Sequence, residues 1–273
     1  MNLNRYAAGI EYFGKNYKGW QTQKSTSETI QSKIDRALSK IADSEIKSIC
    51  AGRTDSGVNA LSQVIHFESD KKRSLKGWME GCNSVLPDDI RFIWIKKVPE
   101  TFHARFSAIK RTYKYYVWNA QNTSVFYKNK TVHIKDKINI DNMRDSSKYL
   151  IGEKDFTSFR SSGCQSKSPM REIYEINISK RKNLIVFEIS ANAFLLNMVR
   201  IIVGTLLEFG LEEKNPLLMK TIVDGRDRNL SGKTISADGL YFVGPEYPSE
   251  FKIKKPPLKY QILPTWLKKW IFL

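Results

Sequence analysis

The chain of 273 residues carries 45 Lys and Arg against 28 Asp and Glu, a formal net charge of +17, and 41% of its residues are hydrophobic. That hydrophobic content supplies a folded core and excludes a disordered tail. The basic residues are spread along the chain among aromatic ones, which favours a nucleic acid as partner, because bases stack on aromatic rings and phosphates attract cations. A lysine-rich chain whose cations are merely solvated is the alternative.

Neither export nor membrane insertion is indicated. The longest apolar segment, 193–207, is too short to span a bilayer and contains Arg200, and the N-terminal residues have no signal-like apolar stretch. Three cysteines, Cys50, Cys82 and Cys164, lie far apart and form no C-x-x-C pair. They predict reduced thiols in a cytoplasmic protein and no metal site.

Strand and helix patterns alternate in the first half of the chain. Apolar runs predict strands at 6–12, 46–50, 63–67 and 91–98. Residues 25–28, Ser-Thr-Ser-Glu, resemble a capping box that opens a helix, whose apolar face is formed by Ile30, Ile34, Ala37, Leu38 and Ile41. A second helix is predicted to begin at Ser74, with Leu75, Trp78, Met79 and Cys82 facing inward.

The second half repeats this order without repeating the sequence. Strands are predicted at 112–119, 171–179 and 184–190. The predicted helices are one capped by Asp141, one from about 193 to 209 ended by Gly210, and one that opens at Asn215-Pro216. The pattern predicts an α+β fold of two similar halves, with mixed, mainly antiparallel sheets joined around a central basic cleft.

The predicted domains are 1–106, 107–248 and a tail, 249–273. The tail is basic and aromatic, and its last residues are amphipathic but too short to span a bilayer. It is predicted to pack against the body or against a partner subunit. A separate RNA-binding arm is the alternative.

One stretch, Gly52-Arg53-Thr54-Asp55-Ser56-Gly57-Val58, places a carboxylate in a turn bracketed by two glycines. The glycines permit backbone conformations that present Asp55 at a cleft, and Arg53 is predicted to keep it ionised. Taken alone, an aspartate in such a turn usually bonds only its own backbone.

This heptad resembles the catalytic loop of the tRNA pseudouridine synthase A family. Further segments from about residue 10 to residue 248 are similar to the same family, namely 9–23, 83–90, 102–108, 155–166, 192–204 and 237–241. Each segment alone is weak evidence for the family, whereas all of them together are specific to it.

The resemblance implies the pseudouridine synthase fold and a cofactor-independent isomerase that converts uridine to pseudouridine at about positions 38 to 40 of the tRNA anticodon stem-loop. It also implies a homodimer. Asp55 is then the catalytic carboxylate, and Arg200 is the cation paired with it. Tyr113 stacks on the uracil and assists later proton removal, while Leu240 forms the opposite apolar wall.

Candidate RNA contacts are basic residues and one histidine in or beside loops that border the proposed cleft. They are Arg53, Arg105, His103, Arg160, Lys110, Arg111 and Lys18, together with Lys15 and Lys167.

Three residues depart from the family pattern. Asn59 stands where a histidine is usual, and Leu196-Asn197 stand where histidines often precede Met-Val-Arg. We expect these changes to loosen RNA positioning without touching Asp55, Tyr113 or Arg200.

Two other functions compete with the isomerase. A non-catalytic RNA-binding or RNA-chaperone protein could keep the basic cleft, but binding alone does not require a carboxylate that faces phosphates. A carboxylate-dependent hydrolase requires a second acid or a metal cluster near Asp55, and the sequence contains no convincing motif for one.

Overall fold

A computed structural model describes residues 3–253 of the chain. The part of the basic tail from 254 to 273 lies outside the described residues. At the start of the tail, the Phe251 ring packs against Phe102 at 5.2 Å between centroids, and the Lys96 ammonium donates a hydrogen bond to the Lys252 carbonyl at 2.9 Å.

Ten strands and five α-helices follow one another along the described residues. The strands are β1 (Asn4–Tyr12), β2 (Ile49–Cys50), β3 (Asn59–Ser69), β4 (Ile90–Val98), β5 (Lys110–Asn119), β6 (Val132–Ile134), β7 (Gly152–Asp155), β8 (Met170–Arg181), β9 (Leu184–Ala191) and β10 (Leu240–Glu246). The helices are α1 (Ile30–Ala42), α2 (Leu75–Val85), α3 (Ile140–Ser147), α4 (Met198–Glu212) and α5 (Leu218–Gly225).

All ten strands of this described part belong to one continuous sheet. Its order is β4-β1-β3-β10-β5-β9-β8-β7, with β2 paired to β3 and β6 to β5. Strand β10 joins the two halves, because it runs parallel to β3 on one side and antiparallel to β5 on the other. The α+β prediction with mainly antiparallel pairing is confirmed, and the two halves share one sheet rather than forming two.

The helices bury the apolar faces that the sequence predicts. In α1, Ile30, Ile34 and Leu38 are fully buried, and in α2 the same holds for Trp78 and Cys82. Leu75 is the exception, since it lies in the first turn of α2 and is 43% exposed. Helix α4 is apolar nearly all round, with eleven of its 15 residues buried, because it contacts α3 and the loops of the second half.

Two helix starts differ from the sequence prediction. The cap of α1 is Thr29, whose hydroxyl accepts the Ser32 N–H, so the capping box predicted at 25–28 is wrong. The cap of α3 is Asn139, and Asp141 lies in the first turn instead. In both cases a different polar residue nearby accepts an unpaired N–H group of the first helical turn. Several polar residues before a helix can act as its cap, and their spacing alone does not show which one does.

The limits of α4 also differ from the prediction. It begins at Met198 because Asn197 adopts the left-handed conformation, with φ of 60°, and it continues through Gly210 to Glu212. Helix α5 begins at Leu218, after a turn in which the Asn215 side chain accepts the Leu217 N–H at 3.0 Å.

A close approach at Gly204 fixes α4 against the loop at 232–235. A Cβ atom added at Gly204 would lie 2.0 Å from the Lys233 carbonyl oxygen, so only glycine allows this contact. The same loop carries the Ile235 carbonyl, which accepts a hydrogen bond from Arg200 Nε at 2.7 Å. The packing of α4 therefore determines where Arg200 lies.

We predict that Gly204→Ala destabilises the protein by about 1–3 kcal/mol, because the added Cβ meets a backbone carbonyl, which cannot move aside as a side chain does. Without this contact, alanine would favour the helix over glycine by about 1 kcal/mol. Gly81→Ala in α2 is the matched control, since the added Cβ meets only the Ile41 side chain, at 3.0 Å. Urea unfolding measures both variants. Equal free energies of unfolding for the two would contradict the prediction.

Candidate active site

A cleft of about 1040 Å³ opens where the loop between β2 and β3 faces the start of α4 and the strands β5 and β10. The structure brings together at this cleft most of the site residues that the sequence predicts. Its lining includes Asp55, Tyr113, Arg200, Leu240, Arg53, Lys18, Arg105 and Arg111.

The loop that carries Asp55 is held by backbone bonds to the segment after β1. The Trp20 N–H donates to the Thr54 carbonyl at 2.9 Å, and the Thr54 hydroxyl lies 2.7 Å from the Tyr12 hydroxyl. Gly57 turns the chain back with φ of 80°, a conformation that glycine adopts without strain. The carboxylate of Asp55 is thereby presented from a rigid support.

Opposing effects act on the pKa of Asp55. Burial raises the pKa of this carboxyl above its ordinary value of 3.8, whereas the positive charge of Arg200 and a hydrogen bond from the Asn197 backbone N–H lower it. A carboxylate that has lost part of its hydration, yet has a cation nearby, is a stronger nucleophile than one in water.

Arg200 is fixed by neutral oxygen atoms. Its Nε donates to the Ile235 carbonyl, and its Nη1 donates to Asn197 Oδ1, both at 2.7 Å. Because these partners carry no charge, the guanidinium keeps its full positive charge toward Asp55.

The prediction that Arg53 keeps Asp55 ionised is wrong. The Arg53 guanidinium is exposed and donates to Gln165 Oε1 at 3.0 Å, on the far side of the cleft. The charge of Arg53 acts on Cys50 instead, where it opposes the rise in the pKa of the thiol that burial causes. Arg53 and Asp55 are only two residues apart, but in a turn such side chains can point in different directions. Arg200, which the family resemblance assigned to Asp55, acts on the carboxylate instead.

Apolar walls flank the carboxylate. The Tyr113 ring meets Phe194 edge-on at 5.0 Å between centroids and lies 4.9 Å from Phe242. Burial, with a smaller contribution from the charge of Asp55, raises the pKa of the Tyr113 hydroxyl far above its ordinary value, so the phenol stays protonated at neutral pH. Leu240, at the start of β10, is 3% exposed and also lines the cleft.

Arg111 lines the cleft and also ties its walls together. Its guanidinium donates to the carbonyls of Ala108, Asn192 and Ala51 at 2.9, 2.7 and 3.2 Å, and to that of Arg105. These carbonyls belong to the crossover between the halves, the end of β9 and the Asp55 loop. Its predicted contact with RNA stays a prediction.

Other predicted RNA contacts lie outside the lining of this cleft. The Lys110 ammonium forms an ion pair with Glu246 at 2.6 Å, and Lys15 forms one with Asp238 at 3.0 Å. Lys167 is exposed on a loop.

His103 and Arg160 also lie outside this lining. His103 Nδ1 accepts the N–H groups of Arg105 and Phe106, both at 3.1 Å, and so stabilises a turn. Arg160 lines an adjacent cavity, and its Nη2 donates to the carbonyls of Cys164 and Ser166, both at 2.8 Å.

Asn59 has a structural place in the centre of the sheet. Its side chain is buried, Oδ1 accepts the Gly14 N–H at 2.9 Å, and Nδ2 donates to the carbonyls of Asp238 and Leu240, both at 3.4 Å. The amide thus positions the start of β10 next to the cleft.

Asn197 is a site residue whose role the sequence did not identify, and the expectation that it would not touch Asp55 or Arg200 is wrong. Its N–H bonds the Asp55 carboxylate, Oδ1 accepts Arg200 Nη1, and Nδ2 donates to Ser161 Oγ at 3.0 Å. The left-handed conformation at Asn197 makes this geometry possible, and asparagine tolerates it better than most residues do. An asparagine directly before an apolar helix was the signal available in the sequence.

The described residues also bear on the requirements of a metal site and of a membrane span. Within residues 3–253 no group of three His, Cys, Asp or Glu side chains could hold a metal ion. In the same range no helix is long and apolar enough to cross a membrane.

Comparison with known proteins identifies close relatives. Residues 8–107 and 147–248 match the family described as tRNA pseudouridine synthase. A protein of Buchnera aphidicola subsp. Schizaphis graminum named tRNA pseudouridine synthase A is 48% identical over 249 residues, 91% of this chain and 94% of that protein. One of the same name from Francisella philomiragia is 47% identical over 253 residues, 93% and 97% of the respective chains.

Among solved structures, an H/ACA RNP bound to a substrate RNA containing 2′-deoxyuridine matches with a TM-score of 0.35 and 13% identity, covering 74% of this chain and 44% of that chain. A likeness this distant carries no argument about function.

We predict that Asp55→Asn raises the melting temperature relative to the unmodified protein. Because the pKa of Asp55 is higher in the folded state than in the unfolded state, ionisation of Asp55 lowers the free energy of unfolding. This loss of stability is absent below the pKa of the unfolded state and complete above the pKa of the folded state. The gain should therefore be larger at roughly pH 7 than at roughly pH 4. Calorimetry at the two pH values tests this. A melting temperature lowered by the substitution at neutral pH would contradict it.

Proposed function

The chain belongs to the tRNA pseudouridine synthase family, and on that premise we propose that it isomerises uridine to pseudouridine in the anticodon stem-loop of tRNA, at about positions 38 to 40. The observation that carries the proposal is the meeting of Asp55, Arg200, Tyr113 and Leu240 at one cleft. They come from an early loop, a late helix and two strands, and no simple packing requirement places an ionisable carboxyl among them.

The reaction rearranges bonds within one nucleoside. The bond between N1 of uracil and C1′ of the ribose breaks, the base turns, and a bond forms between C5 and C1′. The proton on C5 is lost and N1 gains one, so nothing is consumed and no cofactor is required. The protein must supply a group that stabilises the sugar or base while they are separated.

Asp55 is suited to that task. Its carboxylate is partly buried, bonded by the Asn197 N–H and faced by the charge of Arg200. We propose that it attacks the sugar or the base, and that Arg200 keeps it ionised close to the phosphates of the RNA.

Tyr113 and Leu240 are the proposed walls for the detached uracil. An aromatic ring opposite an aliphatic side chain lets a flat base turn without forming hydrogen bonds that would fix it. Because the Tyr113 phenol stays protonated, its hydroxyl acts as a relay in the removal of the C5 proton, and not as a strong base.

The target uridine must leave its stack to reach Asp55, at a cost of a few kcal/mol. Lys18, Arg53 and Arg105 line the cleft and would offset this cost by binding the adjoining phosphates. Arg53 also bonds Gln165, a residue of the opposite half, so it bridges the mouth of the cleft.

The assembly and location follow the same premise. We propose a homodimer in which one tRNA touches both subunits, and a cytoplasmic location where tRNA is processed. Within each subunit, 1–106 supplies Asp55 and 107–248 supplies Tyr113, Arg200 and Leu240. Light scattering of the purified protein tests the dimer.

We predict that Asp55→Ala lowers turnover by at least about 10³-fold while tRNA affinity is retained, because only the reacting carboxylate is lost. Tritium release from tRNA labelled at C5 of uracil measures turnover, and fluorescence anisotropy measures binding. Asp88→Ala is the control, since this exposed acid pairs with Arg91 on the surface.

An unmodified protein that binds tRNA without releasing tritium would refute the isomerase and favour the RNA-binding alternative. Full turnover by Asp55→Ala would refute the assignment of the carboxylate.

A further prediction concerns Asn197. Asn197→Gly keeps the left-handed backbone and the N–H to Asp55 but removes the side chain that holds Arg200, so turnover should fall by about 10- to 100-fold with tRNA affinity unchanged. Asn197→Asp keeps the acceptor and adds a negative charge near Asp55, which should move the acid limb of the pH–rate profile upward. Unchanged turnover in Asn197→Gly would show that Arg200 is positioned without it.

A further inference from the structure

A second cavity, of about 780 Å³, adjoins the cleft and is not used by the proposed reaction. It lies between the loop at 160–164 and the loop at 228–234. Gly163 and Cys164 line both cavities, so the two adjoin across a shared wall. An added Cβ at Gly163 would have no atom within 4 Å apart from those of its chain neighbours, so this point of the wall faces open space.

The second cavity is cationic. Arg160, Arg228 and Lys233 line it, and none of the described residues in its lining is Asp or Glu. The remaining lining includes the hydroxyl-bearing residues Thr157, Ser161, Ser162, Ser231 and Thr234. Hydroxyl groups and cations together are the donors that bind phosphate oxygens.

The two arginines are held in place by uncharged groups. Arg228 Nη1 donates to the carbonyl and hydroxyl oxygens of Ser231 at 3.2 and 2.9 Å, and its Nη2 donates to Thr234 Oγ1 at 3.1 Å. Arg160 donates to backbone carbonyls, as described above. Neutral partners orient a guanidinium without cancelling its charge, so both remain available to an anion.

Two acids, Glu208 and Asp227, adjoin the lining of this cavity and bond its backbone. The Glu208 carboxylate accepts the Lys233 backbone N–H at 3.1 Å and lies 3.6 Å from the Lys214 ammonium. The Asp227 carboxylate accepts the Asn229 N–H at 2.8 Å. Both shape the loop at 228–234, and neither is among the residues that line the cavity.

We propose that this second cavity binds the phosphodiester backbone of the substrate RNA where the strand continues from the uridine held in the cleft. The inference rests on the proposed function and extends it. A strand that leaves Asp55 and crosses the wall at Gly163 enters a space lined by three cations, and its volume exceeds what a single phosphate requires. The hydrogen bond from Asn197 to Ser161 links this loop to the residues around Asp55.

Such a site explains how neighbouring uridines in stems of different sequence could be accepted. Phosphate contacts fix where a strand lies but read no bases. A strand gripped beside the cleft can thus present different nucleotides without a change in the contacts that hold it.

Lys233 offers the sharpest test, because it is exposed and its side chain, unlike those of Arg160 and Arg228, forms no hydrogen bond or ion pair among the described residues. Binding of unmodified tRNA is followed by fluorescence anisotropy at several salt concentrations. For Lys233→Gln we expect weaker binding and a slope of log affinity against log salt that is smaller by about 0.7 to 0.9. The KM for tRNA should rise, while kcat at saturating tRNA stays unchanged.

Lys40→Gln is the matched control, since this lysine is exposed in the last turn of α1 and lines neither cavity. It should leave both the slope and the KM as they are. A Lys233→Gln protein that matches this control in slope and KM would overturn the proposal.

Two further readouts separate the remaining outcomes. If unmodified protein shows no tritium release but Lys233→Gln still lowers the salt slope, the proposed isomerase fails and the backbone site stands. Oligouridylate and polyglutamate are tested as competitors of tRNA for the unmodified protein and for Lys233→Gln. We expect competition by oligouridylate, but not by polyglutamate, to differ between the two proteins. Displacement by polyglutamate alone would assign the cavity to an acidic peptide and overturn the RNA site.

Discussion

The insertion of β10 between β3 and β5 is the constraint on which the site depends. In this register Tyr241 lies opposite Asn59 of β3, and Phe242 lies opposite Tyr113 of β5. The Asp55 loop precedes β3 directly, so the carboxylate, the aromatic ring and the leucine at the start of β10 meet at neighbouring strand ends. The buried Asn59 amide secures this junction by bonding the backbone on both sides. Sheet hydrogen bonds therefore place groups that are far apart in the chain to within a side chain's reach.

The electrostatics of the cleft favour reactivity over stability. Burial makes ionised Asp55 costly in the folded state, and Arg200 with the Asn197 N–H offsets only part of that cost. Arg200 is itself held by neutral oxygens, one from the loop that packs on Gly204. The same use of neutral partners recurs at Arg160 and Arg228 in the second cavity. In both places cations are oriented by the protein while their charge is left for an anionic partner, which is the arrangement that a polyanionic substrate requires.

Much of the fold was predictable because strands and amphipathic helices leave a periodic pattern. The strands at 6–12, 91–98, 112–119 and 184–190 and the apolar faces of α1 and α2 agree closely with the structure. Helix limits were harder, since Thr29, Asn139 and Asn197 determine them through single hydrogen bonds or a single backbone angle. Pairing of β10 with both halves was beyond prediction, because strand order depends on contacts between segments that sequence spacing does not encode.

The sequence by itself determined the composition of the site: its glycine-bracketed aspartate, its basic and aromatic surroundings, and the resemblance that implied Tyr113, Arg200 and Leu240 as companions of Asp55. Only the tertiary structure decided which cation acts on that carboxylate, since Arg53 turns away to Gln165 while Arg200 faces it. It also decided that Asn197 holds the two together and that a second cationic cavity adjoins the cleft. The physical reason is that side-chain direction and charge-to-charge distance are set by packing across the sheet, and these are not properties of a local stretch of residues.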